Sequence, residues 1–260
     1  MCLIAFALEP GSRYRLLLAG NRDEFHNRPA AAAHWWDGER RIYGGRDLVG
    51  GGTWLGINRS GRIAALTNFR DRPHRGPGER SRGELGAGYL VTPGSGETYA
   101  ASIVRHMGSF GGFNLLLFEA GRDRANALYF SNRQAETAPL QIAEGVHGLS
   151  NHLLNTPWPK VERLRTTMRS ALELTDPIEA LLDALADRSP ARSWGRGAAL
   201  DDGALEGTPF IADPRYGTRA STVIAIGHSG EVTFCERSWD WLDDRPRFTG
   251  ERRLFFRIQS

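Results

Sequence analysis

Residues 2–25 read CLIAFALEPGSRYRLLLAGNRDEF. Two short apolar runs, CLIAFAL and YRLLLAG, flank EPGS, where Pro10 and Gly11 mark a turn, so the stretch predicts an antiparallel hairpin whose first strand opens on Cys2. The second run breaks into Asn21, Arg22, Asp23 and Glu24. An amide, a cation and two carboxylates thus stand at the mouth of the strand that pairs with the cysteine strand.

The same punctuation recurs along the chain. In residues 51–69, GGTWLGINRSGRIAALTNF, the turn NRSG predicts a second hairpin, with Thr67 and Asn68 closing its returning strand. Between the hairpins, residues 34–52 (HWWDGERRIYGGRDLVGGG) lack the lysine and hydroxyl of a phosphate-binding loop, so they read as a connection whose glycines are turns. Residues 83–92 and 97–107 read as short helices around the breaker PGSG, and 113–120 (FNLLLFEA) as a buried strand. The strongest helix lies within 158–174, where Val161, Leu164, Met168 and Leu172 form an apolar stripe opposite Glu162, Arg165 and Arg169. A second follows over 176–187, with Asp176 as N-cap and Pro177 at the first helical position. A third hairpin joins ASTVIAIG to EVTFCERSW across HSG, and residues 253–260 supply a last strand. Hairpins in both halves with paired helices between them predict an α+β fold of antiparallel sheets covered by helices. No repeat or long linker divides the chain, so residues 1–260 form one expected domain, weakest in the loop around 187–210.

Composition narrows the function classes. With 40% hydrophobic and 24% charged residues over 260 positions, the chain can bury a sizeable core. No apolar stretch reaches the roughly 20 residues of a membrane span, and CLIAFAL lacks the basic leader and cleavage site of a signal peptide. A soluble cytoplasmic protein without a transmembrane segment is therefore expected. Its two cysteines, Cys2 and Cys235, are too few for a secreted disulfide framework and give no closely spaced metal-ligand pair, so no metal site is expected. The net charge is +3, Lys160 is the single lysine and the arginines are dispersed, which gives no footprint for nucleic acid.

One residue carries distinctive chemistry. If Met1 is removed, Cys2 becomes N-terminal, and its own α-amine, with an unperturbed pKa of roughly 7.7–8.0, can take the thiol proton at neutral pH. Such a site also needs a carboxylate to hold the ammonium, a cation near sulfur and amide donors for an oxyanion. Asp23 and Arg22 end the strand paired with the Cys2 strand, Asn68 ends the second hairpin, Asn151 lies in GLSNHLLNTPW, and Arg219 precedes a strand in YGTRAS. Cys235 is expected as a buried structural residue.

The segments MCLIAFAL, GNRDEFHNRP, GGTWLGINRSGRIAALTNFR, GFNLLL, GLSNHLLNTPWPK, YGTRASTVI and GEVTFCERS run in order from residue 1 to 238 and resemble the NRDE family, also known as the transport and Golgi organisation protein 2 family. The resemblance implies an N-terminal nucleophile hydrolase-like fold, a four-layer αββα sandwich of two antiparallel sheets covered by helices. More remotely, the motifs are similar to the bile-salt hydrolases and penicillin V acylases. That analogy implies Cys2 as nucleophile, Arg22 and Asp23 as its electrostatic neighbours, Asn68 and Asn151 as the oxyanion-hole region and Arg219 as a far-side cation. In the acylase pattern the arginine and aspartate are separated, whereas here they are contiguous.

Two functions follow as expectations. The first is a cysteine hydrolase of a linear, non-peptide amide such as an N-acyl amide, or of a thioester, requiring no cofactor. The second, implied by the resemblance, is a non-catalytic binding and trafficking protein for haem or an acyl-CoA or lipid ligand. In that case His34, Trp35 and Trp36, or His147 and His152, would line a haem slot. Either way the partner is a small acyl, amide or haem ligand.

Overall fold

The computed structural model describes all residues except 1, 10, 12, 39–40, 71–77, 122–123, 137, 190–206 and 260. In chain order the strands and helices are β1 (Cys2–Leu8), β2 (Tyr14–Phe25), β3 (Ala30–Trp35), β4 (Tyr43–Asp47), β5 (Leu55–Ile57) and β6 (Arg62–Asn68), then α1 (Gly83–Val91) and α2 (Gly96–Val104). They continue with β7 (Phe113–Ala120), β8 (Ala125–Ser131), β9 (Leu140–Gln141), β10 (Gly145–Leu149), α3 (Pro159–Ala171), α4 (Ile178–Leu185), β11 (Tyr216–Gly227), β12 (Glu231–Leu242) and β13 (Arg245–Arg257). Two sheets result, one ordered β10-β1-β2-β11-β12-β13 and the other β3-β4-β5-β6-β7-β8-β9. Every described strand pairing is antiparallel.

The layering follows from the two-residue side-chain period of a strand. In β1 and β2, Ile4, Phe6, Leu8, Leu16 and Leu18 enter a cluster shared with Ile57, Ile63, Leu116 and Phe118 of the second sheet. The intervening residues Leu3, Ala5, Ala7, Leu17 and Ala19 pack instead on Val161, Leu164 and Met168 of α3 and on Leu181 and Leu182 of α4. On the far side of the second sheet, Ala64, Leu66, Leu115 and Leu117 pack against Leu85 and Tyr89 of α1 and Ile103 of α2. The layers run helices, sheet, sheet, helices, which is the expected αββα sandwich. Strands buried on both faces explain why these runs are continuously apolar rather than alternating.

The three predicted hairpins form as β1–β2, β5–β6 and β11–β12, and the helices fall as expected within a few residues. In α4, Pro177 takes the N-cap position, and Asp176 accepts the Ile178 N–H at 3.0 Å from one residue earlier than expected.

The reading of residues 34–52 as a connection is corrected, because β3 ends in it and β4 lies within it. Gly38 and Gly51 do sit at turns with positive φ, but Gly44 and Gly45 within β4 serve close approach instead. A Cβ on Gly44 would sit 2.5 Å from the Leu55 carbonyl oxygen, and one on Gly45 would collide with the indole of Trp54. β13 begins eight residues earlier than the apolar run that announced it, since this edge strand is half exposed and its first half is polar. Most of the loop around 187–210 lies outside the described residues. No described helix is long and apolar enough to cross a membrane.

Candidate active site around Cys2

Cys2 opens β1 and stands directly opposite Arg22 of β2, which in turn faces Ala220 of β11. Strand parity places Cys2 and Arg22 in the set with Ile4, Phe6 and Leu18, facing the second sheet. There the Arg22 guanidinium lies 4.3 Å from the Trp54 ring centroid, and its Nη2 donates to Asp47 Oδ2 at 2.9 Å. Asp47 also takes two hydrogen bonds from Arg28, at 2.7 and 3.0 Å, and accepts the backbone N–H of Val49 and of Gly50. Burial works against the Asp47 anion, but the Arg28 bonds, the Gly50 N–H and the charges of Arg28 and Arg22 together hold its pKa below the usual carboxylate range.

Asp23, one residue on, turns to the helix side of the same strand. Its Oδ1 accepts from Thr218 Oγ1 at 2.7 Å, and its carbonyl accepts from the Tyr216 hydroxyl at 2.8 Å. The contiguous pair thus serves both faces of β2. Arg22 is 5% and Asp23 1% exposed, so neither is the lightly buried strand end that a charged motif suggests. Burial raises the Asp23 carboxyl above its ordinary value, against the positive charges of the amino terminus and Lys160, the Thr218 bond and Arg22. Burial likewise raises the Cys2 thiol. The amino terminus opposes this, the Asp23 carboxylate adds to it, and the Asp23 N–H and Arg22 counter it. A thiol held in this way needs a proton acceptor before it can act as a nucleophile.

The Asn151 side chain meets the Asn68 main chain, and its neighbour Ser150 reaches Cys2. Asn151, fully buried just past β10, donates from Nδ2 to the Asn68 carbonyl at 2.8 Å. Ser150 Oγ donates to the Cys2 carbonyl at 2.8 Å and lies 3.2 Å from Asn151 Oδ1, tying this turn to the first residue of β1. Behind it, Thr67 Oγ1 donates to the Ser150 carbonyl at 2.6 Å, Asn114 Nδ2 donates to Thr67 Oγ1 and to the His152 carbonyl, and Tyr129 donates to Asn114 Oδ1.

Arg219 goes elsewhere. It sits at the register shift between Thr218 and Ala220, and its hydrogen bonds run to the carbonyls of His26 (2.8 Å), Phe25 (3.2 Å) and Trp239 (3.3 Å).

The residues expected to line a haem slot make the following contacts. Trp35 meets Tyr43 edge-on at 5.3 Å, Trp36 donates its indole N–H to the Gly44 carbonyl, and His34 Nδ1 lies 2.8 Å from the Ala32 carbonyl. His147 stacks on Phe6, and both its ring nitrogens are engaged, by Asn155 at 3.0 Å and the Ala143 carbonyl at 2.9 Å. His152 Nδ1 is 2.9 Å from Thr156 Oγ1. Among the described residues no group of three or more His, Cys, Asp or Glu could hold a metal ion. Both cysteines are free, and Cys235 is fully buried between the first sheet and its helices, where burial pushes its thiol up to about 11.

Several neighbours of Cys2 escape a motif-based reading. Burial lowers the Arg82 pKa, while the negative charges of Glu24 and of an ionised Cys2 raise it, so Arg82 is within electrostatic reach of the sulfur. Tyr216 is held well above its ordinary value by burial and by Asp23 and Cys2. Asp47 and Trp54 contact Arg22 from the second sheet. A polar residue in an apolar strand, such as Asn114 in FNLLLF, was a signal available in the sequence, since a buried amide must find partners.

These features define a class: an αββα sandwich whose first strand presents a buried cysteine, beside an arginine and two asparagines, to the space between its sheets. The chain belongs to the Transport and Golgi organisation 2 family, whose sequence model matches residues 1–241. It is 36% identical to the Transport and Golgi organization protein 2 homolog of Bos taurus and 33% identical to that of Homo sapiens, each match covering 100% of both chains. The Drosophila melanogaster protein is 27% identical over 94% of each chain. Among solved structures, a Caenorhabditis elegans N-acylethanolamine-hydrolyzing acid amidase ortholog is similar with a TM-score of 0.45 at 8% identity, covering 88% of this chain and 93% of that one. The C2A mutant of a Clostridium perfringens conjugated bile acid hydrolase gives 0.39 at 8% identity, covering 99% and 97%.

Proposed function

We propose that the protein is a cysteine hydrolase of the N-terminal nucleophile type, acting on a linear amide or a thioester. The observation that carries the reading is the convergence on Cys2 of Arg22 from the paired strand and of the Ser150–Asn151–Asn68 hydrogen-bonded turn. Removal of Met1 frees the Cys2 α-amine, which takes the thiol proton as sulfur attacks the carbonyl carbon. The carbonyl oxygen becomes an oxyanion, received by the second N–H of Asn151 Nδ2 and the side-chain amide of Asn68. The carbon–nitrogen or carbon–sulfur bond then breaks, and the ammonium passes its proton to the leaving amine or thiolate. Water, deprotonated by the same amine, attacks the acyl-cysteine, releasing a carboxylic acid and restoring the thiol. Asp23 holds the ammonium, and Arg22 favours the thiolate. Two free buried cysteines accord with a reducing cytoplasmic setting.

The names of the relatives speak of transport, and the second reading is a haem or acyl-CoA carrier that keeps the fold without the chemistry. Intact-mass measurement of natively expressed protein tests the premise of the first. Loss of Met1 is expected, and a retained Met1 leaves Cys2 without a free amine and ends the hydrolase reading.

A further inference from the structure

Between the sheets lie two buried donors without an acceptor among the described residues. Arg22 is 5% exposed, and while its Nη2 is bound to Asp47, its Nη1 is buried and has no hydrogen-bond partner among the described residues. The indole Nε1 of Trp54 is likewise buried and without a partner. The two side chains are stacked, with the guanidinium carbon 4.3 Å from the ring centroid. Both are fixed in place. Asp47 anchors Arg22, Gly45 leaves room for the Trp54 ring where any Cβ would collide, and the Trp54 carbonyl accepts the Leu66 N–H at 2.8 Å.

A buried unpaired donor costs about 1–3 kcal/mol, and a charged one more, so two on stacked, anchored side chains mark a place where a ligand completes the hydrogen bonding. The local charge specifies which ligand. A single Asp47 carboxylate is shared by Arg22 and Arg28, Glu24 lies 3.9 Å from Arg28, and Arg82 adds a third guanidinium that senses Glu24 and Cys2. The Arg22 guanidinium, whose Nη1 is the charged one of the two open donors, favours an anionic acceptor.

We propose that Arg22 Nη1 and Trp54 Nε1 form a two-donor seat for an anionic oxygen group, with the geometry of a carboxylate whose two oxygens each accept one N–H. Trp54 is then a specificity-determining residue. On the hydrolase reading, on which this assignment to a substrate rests, the substrate is an amide or thioester that carries a carboxylate close to the scissile carbonyl, on either its acyl or its leaving-group side.

The test titrates the full-length Cys2→Ser protein by calorimetry with succinamate, whose carboxylate is on the acyl side, and with N-acetylglycine, whose carboxylate is on the leaving side. The methyl ester of each is the control. At least one acid is expected to bind about tenfold or more tightly than its ester, the worth of a hydrogen bond to a charged group, and the better acid identifies the side. Adding Trp54→Phe, which keeps a ring under the guanidinium but removes the N–H, is expected to erase about tenfold of that preference and leave ester binding unchanged. Equal affinity of acid and ester, no binding of either acid at millimolar concentration, or an acid preference untouched by Trp54→Phe overturns the seat. The hydrolase reading fails separately. Acids that bind through Trp54 while wild type cleaves no amide or thioester leave the seat standing without the chemistry, whereas acid and ester cleaved equally well leave the chemistry without the seat.

Discussion

Arg22 and Asp47 meet across the two sheets at 2.9 Å, with side chains 5% and 14% exposed, so the cation opposite Cys2 is held by a carboxylate from the other half of the sandwich. Removing one partner of a buried pair leaves an uncompensated charge, at a cost of about 3–5 kcal/mol. Asp47→Ala also strips the Val49 and Gly50 N–H groups of their acceptor. The variant is therefore expected to unfold at a temperature lower by roughly 10 °C, at about 2–4 °C per kcal/mol for a chain of this size. Asp47→Asn, which keeps an acceptor for those N–H groups, should lose less. A thermal midpoint within 2 °C of wild type, at about 0.5 kcal/mol for a surface change, would show that the pair contributes nothing.

Gly45 and Trp54 make a second testable contact. Any Cβ at Gly45 enters the indole ring, on which the Arg22 guanidinium also stacks. Gly45→Ala is expected to cost about 1–3 kcal/mol by overpacking. It should also change Trp54 fluorescence as the ring leaves the guanidinium, whereas Gly51→Ala, where a Cβ meets no atom but φ is +71°, should cost stability through backbone strain without a spectral change. Identical emission from Gly45→Ala and wild type would refute the contact.

These contacts also show what a sequence can and cannot disclose. The sandwich was legible because apolar runs and turn residues are local signals, and CLIAFAL and YRLLLAG need each other wherever they lie. Cys2, Arg22, Asn68 and Asn151 stand out in the sequence because each lies at or near the end of such a run. β3 and β4 were not, because the glycines that permit their close approach look like turns until the facing backbone is known. Arg219 stands at a bulge in β11, and its carbonyl partners at the end of β2 and in β12 come from strands far away in the chain. Asp47, Trp54 and Arg82 act on the site from the other half of the sandwich and its helices, and no spacing within one segment encodes a contact between layers.

Glu236 of β12 supplies a pH signature. Its carboxylate, 1% exposed, accepts the Ala33 N–H at 2.7 Å from the other sheet, at the β3 irregularity, and the Thr222 hydroxyl at 3.2 Å. Burial raises its pKa from 4.5 to about 7, against the pull of those two bonds and of Arg22. The folded state therefore holds the proton more tightly than the unfolded chain. Its contribution to stability is fully present below pH 4.5 and is lost as pH rises through 7, a loss on the order of 3 kcal/mol. Glu236→Gln keeps an acceptor and does not titrate. The difference in unfolding free energy between wild type and variant should shift in favour of the variant between pH 4.5 and 7.5, by urea denaturation at each pH. A difference independent of pH would mean that Glu236 ionises as freely when folded as when unfolded.

The last prediction separates chemistry from carriage at the sulfur itself. Cys2→Ser exchanges sulfur for oxygen at a site where the side chain is 9% exposed and its backbone carbonyl is fixed by Ser150, so the fold and the ligand contacts of Arg22, Asn68 and Asn151 should survive. The hydroxyl does not form the thiolate, and a nucleophile so weakened makes the acyl intermediate slowly. On the hydrolase reading, wild type cleaves at least one member of a panel of linear amides and thioesters, and Cys2→Ser lowers kcat by at least about a hundredfold while binding the same compound with nearly unchanged affinity. On the carrier reading, ligand transfer by Cys2→Ser equals that of wild type, because a pocket wall is indifferent to the exchange. Full transfer by the variant, together with no thiol-dependent cleavage by wild type after its Met1 has been shown to be removed, would decide for carriage.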